Sequence, residues 1–161
     1  MEIKFHLNGK PVTAVIEAGD VLLDVVREKG CYSVKRGCET ANCGLCTVLV
    51  DGTPVLSCST PAARANGRRV TTLEGMQEEA KAFGSYLANE GAEQCGFCSP
   101  GFIMNVLAME KELEQPTEEE IKEYLAGNLC RCTGYMGQLR AIHKYLNREE
   151  DGHKDGRNVW K

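Results

Sequence analysis

Residues 37–58, which read GCETANCGLCTVLVDGTPVLSC, combine a cysteine-rich loop with a predicted β-hairpin. The loop has the spacing C-x4-C-x2-C, and eleven further residues lead to a fourth cysteine. This spacing is typical of plant-type [2Fe–2S] sites, because three ligands on one tight loop can wrap a small cluster and a fourth from a nearby strand closes it. The predicted ligands are Cys38, Cys43, Cys46 and Cys58.

Zinc is the alternative metal for four cysteines. Structural zinc sites favour two short C-x2–4-C pairs set well apart, whereas the single x2 pair of this loop overlaps its x4 arm. The spacing therefore favours iron and sulfur over zinc. Gly37 and Gly44 lie beside predicted ligands, where the backbone has to approach sulfur closely, and the N–H groups of such a loop can donate to the sulfur atoms.

Composition and charge limit the classes of function. The chain has 161 residues and a net charge of −4, with no basic block that would indicate nucleic-acid binding. No apolar run approaches the roughly 18 residues that a membrane span needs. The N-terminus shows no export signal, so we expect a cytoplasmic protein whose nine cysteines serve metal binding or redox chemistry rather than disulfides.

The N-terminal part of the sequence predicts a small α+β domain. Alternating apolar residues indicate two strands on either side of the Asn8-Gly9 turn, and a helical pattern follows up to Gly30. The hairpin, a short helix and a strand ending at Leu73 complete the pattern. A small mixed sheet over one helix fits this order. The ferredoxin-like ligand spacing makes a β-grasp domain over residues 1–75 the predicted fold.

Helical patterns replace the strand patterns after residue 75. Glycines, prolines and a capping box at Thr117 mark the ends of four helices. We therefore predict an all-α four-helix domain over residues 76–150. A loose polar tail over residues 151–161 follows, and docking of Val159 and Trp160 on a partner is the alternative for this segment.

A second group of four cysteines lies in the helical part. The motif CGFC ends at Cys98, just before one predicted helix, and the motif CRC ends at Cys132, before the last one. A C-x-C pair is too tight for a zinc knuckle, whereas the N–H groups and positive charge of helix N-termini favour thiolates and an anionic cluster. We predict a second [2Fe–2S] site here, and Cys31, which belongs to neither group, as a small buried hydrophobe. The predicted ligands are Cys95, Cys98, Cys130 and Cys132.

These motifs occur in the same order in one known family. They are the first loop with its ligands Cys38, Cys43 and Cys46, the pair Ser57-Cys58, the stretch QCGFCSPG at 94–101, and the stretch GNLCRCTGY at 127–135. On these motifs, the chain resembles the small iron–sulfur subunit of the xanthine dehydrogenase family of molybdenum hydroxylases. The resemblance covers roughly residues 3–147 and includes all eight predicted ligands.

The resemblance implies a β-grasp domain and a four-helix domain, each with one [2Fe–2S] cluster. The C-terminal cluster would lie beside a molybdopterin cofactor of a large partner subunit, with Gln94 and Cys132 approaching the pterin. The N-terminal cluster would pass electrons to FAD in a medium subunit. The implied role is the electron-transfer subunit of an oxidoreductase that hydroxylates xanthine or another purine, with nicotinate, aldehydes or carbon monoxide as alternative substrates.

The first loop departs from the family pattern. Residues 39–42 read ETAN where the family usually has glycines and a polar residue, and a bulkier loop can alter the cluster potential or the docking of the flavin partner. Two rival functions stay open. A free-standing two-cluster electron carrier would be stable alone, whereas a zinc-stabilised interaction module would contain zinc and give no paramagnetic signal on reduction.

Overall fold

The computed structural model describes residues 1–148, with a sheet in the N-terminal half and helices in the C-terminal half. The predicted polar tail over 151–161, including Val159 and Trp160, lies outside the described residues. Within residues 1–148, no helix has both the length and the apolar character that crossing a membrane requires.

A five-stranded mixed sheet forms the N-terminal half. Its strands are β1 (Glu2–Leu7), β2 (Lys10–Val15), β3 (Thr47–Val50), β4 (Thr53–Leu56) and β5 (Arg69–Thr71). They are ordered β2-β1-β5-β3-β4, with β1 parallel to β5 and all other neighbours antiparallel. Helix α1 (Leu22–Glu28) buries one side in the same core as Ile3 and Phe5 of β1. This is the predicted β-grasp arrangement, with the short helix predicted after β4 present as a 3-10 turn.

Cys31 lies in the core of this half. Its side chain is only 4% exposed and packs with the residues of α1 and the sheet. Its sulfur accepts a hydrogen bond from Asn8 Nδ2 at 3.6 Å. Burial raises the pKa of the thiol, so it stays protonated and apolar. The prediction of a small buried hydrophobe is confirmed.

Between residues 76 and 148, the structure has four helices, as predicted. They are α2 (Gln77–Asn89), α3 (Ser99–Glu112), α4 (Glu118–Leu125) and α5 (Met136–Leu146). Helix α3 is buried along most of its length, and its core includes Leu49 of strand β3. Thr117 and Glu120 form the predicted capping box at the start of α4. Because α3 packs on the sheet as well as on its neighbours, the two halves share a continuous contact.

Glu74 ties the connection between the two halves to the first one. Its carboxylate accepts hydrogen bonds from the Ser33 backbone N–H at 2.9 Å, from the Ser33 hydroxyl at 2.6 Å and from the Thr72 hydroxyl at 2.6 Å. Burial raises its pKa, but these hydrogen bonds outweigh burial, so the pKa lies below the usual value. Ser33 precedes the cysteine-rich loop, so the network anchors the start of that loop.

Candidate metal centres

The β3–β4 hairpin brings together two predicted ligands that are far apart in sequence. Cys46 directly precedes β3, and Cys58 follows β4 after Ser57. The carbonyl of Cys46 accepts hydrogen bonds from the backbone N–H of Ser57 at 3.3 Å and from its hydroxyl at 2.7 Å. The hairpin register therefore fixes the distance between these cysteines, while Cys38 and Cys43 lie on the loop between α1 and β3.

Two glycines of the first loop lie where a side chain would not fit, against a neighbouring side chain at Gly37 and against the backbone of Gly127 at Gly44. A Cβ added to Gly37 would lie 2.6 Å from the Leu45 side chain and 3.2 Å from Cys43 Sγ. Gly44 has a φ of +73°, and Ala41 has a φ of +53°, a region that favours glycine. The departure of residues 39–42 from the family pattern thus includes a strained alanine.

Hydrogen bonding and burial give the thiols of the first site different pKa values. Backbone N–H groups of Asn42 and Thr40 lower the pKa of Cys38 to about 6. Burial, together with the neighbouring Cys46, raises the pKa of Cys58 to about 12, and burial also raises that of Cys43. Ligation requires thiolates, so metal has to displace protons from the buried thiols.

Two chain segments that precede helices form the second group. Cys98 is the N-terminal capping residue of α3, and the segment with Cys130 and Cys132 leads into α5. Cys132 Sγ lies 3.7 Å from Cys95 Sγ. Burial, together with the neighbouring Cys130, raises the pKa of Cys98 to about 12. The four cysteines predicted for the second site are therefore neighbours in space.

The cysteines of both groups meet in pairs. The thiols of Cys38 and Cys43 interact, as do those of Cys46 and Cys58, of Cys98 and Cys130, and of Cys95 and Cys132. In the part of the chain that the structure describes, no three ligand-type side chains group around a single metal ion. A [2Fe–2S] cluster has two irons with two cysteines each, so the paired arrangement fits such a cluster.

Sequence reasoning assigned no role to two hydroxyl groups beside Cys130. The Thr133 hydroxyl donates to Cys130 Sγ at 3.2 Å, and the Tyr135 hydroxyl accepts from the Cys130 backbone N–H at 2.9 Å. Burial raises the pKa of Cys130, but the Thr133 hydroxyl and nearby backbone N–H groups outweigh it, so the pKa is lowered. The signal in the sequence was the occurrence of hydroxyl residues within five positions of a predicted ligand.

The second group lies at the surface, surrounded by exposed apolar side chains. Cys95 and Cys132 are exposed. The exposed large side chains of the same segments are Phe97, Leu129, Tyr135 and Met136. Gln94 is exposed as well, and its Nε2 donates to the carbonyl of Gly91 at 3.4 Å. The structure thus places Gln94 and Cys132 on the open side of the second group.

The two groups are joined by direct backbone contacts. The N–H of Leu129, the residue before Cys130, donates to the carbonyl of Cys43 at 2.9 Å. A Cβ added to Gly101 of α3 would lie 2.5 Å from the carbonyl oxygen of Gly44. The first loop is therefore packed against the helical half at backbone distance.

Comparison with known proteins agrees with this arrangement. A family model described as "2Fe-2S iron-sulfur cluster binding domain" matches residues 5–88. A second one, described as "[2Fe-2S] binding domain", matches residues 72–143. Each matched segment contains one of the two cysteine groups.

The chain is similar to two relatives over most of its own length and of theirs. The chain is 48% identical over 138 residues to the xanthine dehydrogenase iron–sulfur-binding subunit of Escherichia coli O157:H7, covering 83% of this chain and 87% of the relative. It is 42% identical over 146 residues to the nicotinate dehydrogenase small FeS subunit of Eubacterium barkeri, covering 89% and 92%.

A solved structure shows the same fold. A chain of quinoline 2-oxidoreductase from Pseudomonas putida 86 superposes with a TM-score of 0.84 at 36% identity, covering 96% of this chain and 98% of that one. The family models, the relatives and the superposed structure all indicate the same family as the motifs at 94–101 and 127–135. The chain belongs to the family of electron-transferring iron–sulfur subunits of molybdenum hydroxylases.

Proposed function

We propose that the chain holds two [2Fe–2S] clusters and relays electrons from a molybdopterin cofactor on a large subunit to FAD on a medium subunit. The first cluster would be held by Cys38, Cys43, Cys46 and Cys58, and the second by Cys95, Cys98, Cys130 and Cys132. Such a cluster, when bound, supplies a centre that takes up and gives off an electron at a potential set by its surroundings.

The backbone hydrogen bond between the two cysteine groups carries this proposal. From Cys43 Sγ, a short path runs through the residue to its carbonyl oxygen, across the 2.9 Å hydrogen bond to the N–H of Leu129, and into Cys130. Both ends of the path are predicted ligands. A zinc-stabilised interaction module needs no such link, so the contact supports two centres working in series.

The surface around the second group supports a large partner on that side. Next to Tyr135 and Met136, an open groove of about 390 Å³ lies between α3, α4 and α5, with walls that include Phe102 and Leu139. Gln138 is buried in this groove, and its Oε1 has no hydrogen-bond partner among the described residues. The exposed Tyr135 and Met136 beside the groove are apolar surface of the kind that a partner covers. We assign the pterin-facing roles to Gln94 and Cys132 on the same exposed side.

The proposed substrate of the holoenzyme is xanthine or another purine. The 48% identity to a xanthine dehydrogenase subunit supports it, and the 42% identity to a nicotinate dehydrogenase subunit makes nicotinate the first competitor. In this proposal, the substrate binds to the large subunit and not to this chain. Substrate oxidation by the purified complex, measured with xanthine, hypoxanthine, nicotinate and an aldehyde, tests the assignment.

Metal and flavin analysis of the native complex tests the relay itself. We expect about four irons per copy of this chain, from two clusters of two irons each, together with molybdenum and FAD. Four irons without molybdenum or flavin, in a preparation that kept all its subunits, would indicate a free-standing carrier. Zinc in place of iron would overturn the proposal.

The proposed location is the cytoplasm. All nine cysteines lie in the described residues, and none forms a disulfide, which is the usual state of thiols in a reducing compartment. Cell fractionation with detection of this chain checks the location, and recovery from an oxidising compartment would contradict it.

A further inference from the structure

The hydroxyl of Thr133 has a defined orientation beside a predicted ligand of the second cluster. Its oxygen lies 3.2 Å from Cys130 Sγ and 3.3 Å from the backbone nitrogen of Tyr135. The Tyr135 N–H has its proton fixed by the backbone, so the hydroxyl oxygen acts as its acceptor. The hydroxyl proton is then free to point at the sulfur, and Thr133 is the donor to Cys130.

Tyr135 stabilises this arrangement with two groups, one on its backbone and one on its side chain. Its backbone N–H donates to Thr133, and its side-chain hydroxyl accepts the N–H of Cys130 at 2.9 Å. The residue adopts a φ of +70°, directly after Gly134 with a φ of +66°. A bulky residue in the left-handed region is strained, and such strain persists where the surroundings determine it. Here the turn directs both groups of Tyr135 back towards Cys130 and Thr133.

The first cysteine group has no matching side-chain donor. Among the described residues, the N–H donors to the sulfurs of the first group are backbone groups, and that of Asn42 lies 3.4 Å from Cys38 Sγ. The neighbouring hydroxyls of Thr47 and Ser57 donate to the carbonyls of Gly44 and Cys46 instead. A side-chain hydroxyl on a ligand sulfur is therefore specific to the second group.

We infer that Thr133 is a positioning residue that raises the reduction potential of the second cluster above the value that its four cysteines would give alone. The inference rests on the proposed assignment of Cys130 as a ligand. Reduction adds negative charge to the cluster and its sulfur ligands, so a donor to Cys130 Sγ stabilises the reduced form more than the oxidised form. A higher potential at the second cluster favours electron uptake from the molybdenum side.

The test compares Thr133→Val, which keeps the shape and removes the hydroxyl, with Thr133→Ser, which keeps the hydroxyl. Redox titration of the assembled complex, followed by electron paramagnetic resonance, measures the midpoint potential of each cluster separately. We expect Thr133→Val to lower the potential of the second cluster and to leave that of the first unchanged. Thr133→Ser should titrate close to the unmodified complex.

Several results would overturn the inference. They are an unchanged second potential in Thr133→Val, an equal shift of both clusters, or a Thr133→Ser complex that titrates like Thr133→Val. If Thr133→Val failed to load iron, Thr133→Ala would replace it with the same expectations. The absence of a second [2Fe–2S] signal from the unmodified complex would instead contradict the proposed function, so the two failures are distinguishable.

Discussion

The two cysteine groups solve the same chemical problem with opposite degrees of exposure. In the first group, Cys43 and Cys46 are buried between the sheet and the helical half, at 8% and 3% exposure. In the second group, Cys95 and Cys132 are exposed, and apolar side chains surround them. Two cysteines of each group, Cys38 and Cys58 in the first and Cys98 and Cys130 in the second, are half-buried, so the groups differ in their other two cysteines. In the proposed relay both clusters exchange electrons with a cofactor on another subunit, so the first group has to be approached from the side of its half-buried cysteines Cys38 and Cys58.

Loss of one ligand from each group gives the largest expected effect. Cys43→Ser should remove about half of the iron and the first cluster's paramagnetic signal, because each cluster holds half of the ligands. Molybdenum should still be reduced by substrate, while turnover with the final acceptor is lost. Cys132→Ser should disturb the second signal. Cys31→Ser serves as the control with a full iron content, and normal turnover in the Cys132→Ser complex would contradict the assignment.

Disturbing the close packing between the two halves should have the next largest effect, on the free energy of unfolding. Gly101→Ala places a Cβ 2.5 Å from the carbonyl oxygen of Gly44, a backbone atom that cannot rotate away. We expect a loss of about 1–3 kcal/mol in the free energy of unfolding, as for other overpacked sites. Gly84→Ala in α2 meets open space and should raise stability by about 0.5–1 kcal/mol.

Thermal unfolding of the iron-loaded protein compares the two glycine variants. A Gly101→Ala protein as stable as the Gly84→Ala protein would show that the halves separate without cost. The packing of the first cysteine loop against the helical half would then contribute nothing to stability.

Loss of the Glu74 carboxylate should have a smaller, pH-dependent effect on the free energy of unfolding, and it acts in the half that holds the first cysteine group. Because the pKa of Glu74 is lowered in the folded protein, its contribution to stability is present above the unfolded value of about 4.3 and is lost as the pH falls through the folded value. Glu74→Gln should therefore cost about 1–2 kcal/mol near neutral pH and progressively less in acid.

Chemical unfolding as a function of pH measures this difference. Glu114→Gln is the control, since the side chain of Glu114 is exposed and forms no hydrogen bond or ion pair within residues 1–148. A Glu74→Gln deficit that stayed constant down to acidic pH would exclude the carboxylate as its source.

The smallest expected effect concerns helix α4, in the half that holds the second cysteine group. Thr117→Ala removes the capping box of α4 and should cost about 1 kcal/mol, while Thr117→Ser should keep most of the stability. Hydrogen exchange should show faster opening of α4 with the first loop unaffected. Equal acceleration in both regions would mean that the two halves open as one unit.

Sequence spacing predicted the groups of cysteines because their geometry is local. A tight loop, a hairpin register and two segments that precede helices can be recognised over a few residues, and the capping box at Thr117 follows from the same short range. The contact between Gly44 and Gly101 was not predictable, since it depends on how α3 packs on the sheet. Glycines next to cysteines indicated close approach to sulfur, but not which backbone would lie there.

Other parts of the site were missed for the same reason. The hydrogen bond from Leu129 to Cys43 joins residues from opposite halves of the chain, and no periodicity reports it. The Thr133 hydroxyl lies close to Cys130 in sequence, but its direction depends on the left-handed turn at Tyr135. Motifs therefore predicted which cysteines lie close together, and packing determined their surroundings.

The hydrogen bond between Leu129 and Cys43 also bears on the rate of electron transfer between the two proposed centres. A hinge at this joint would have to break that bond and separate Gly44 from Gly101, whose backbones are already in contact. In the proposed relay, electron transfer between the two centres would then need no opening or closing motion of this chain. Its rate would follow from the driving force and the fixed separation, and a slow, gated step of turnover would have to arise on the proposed partner subunits.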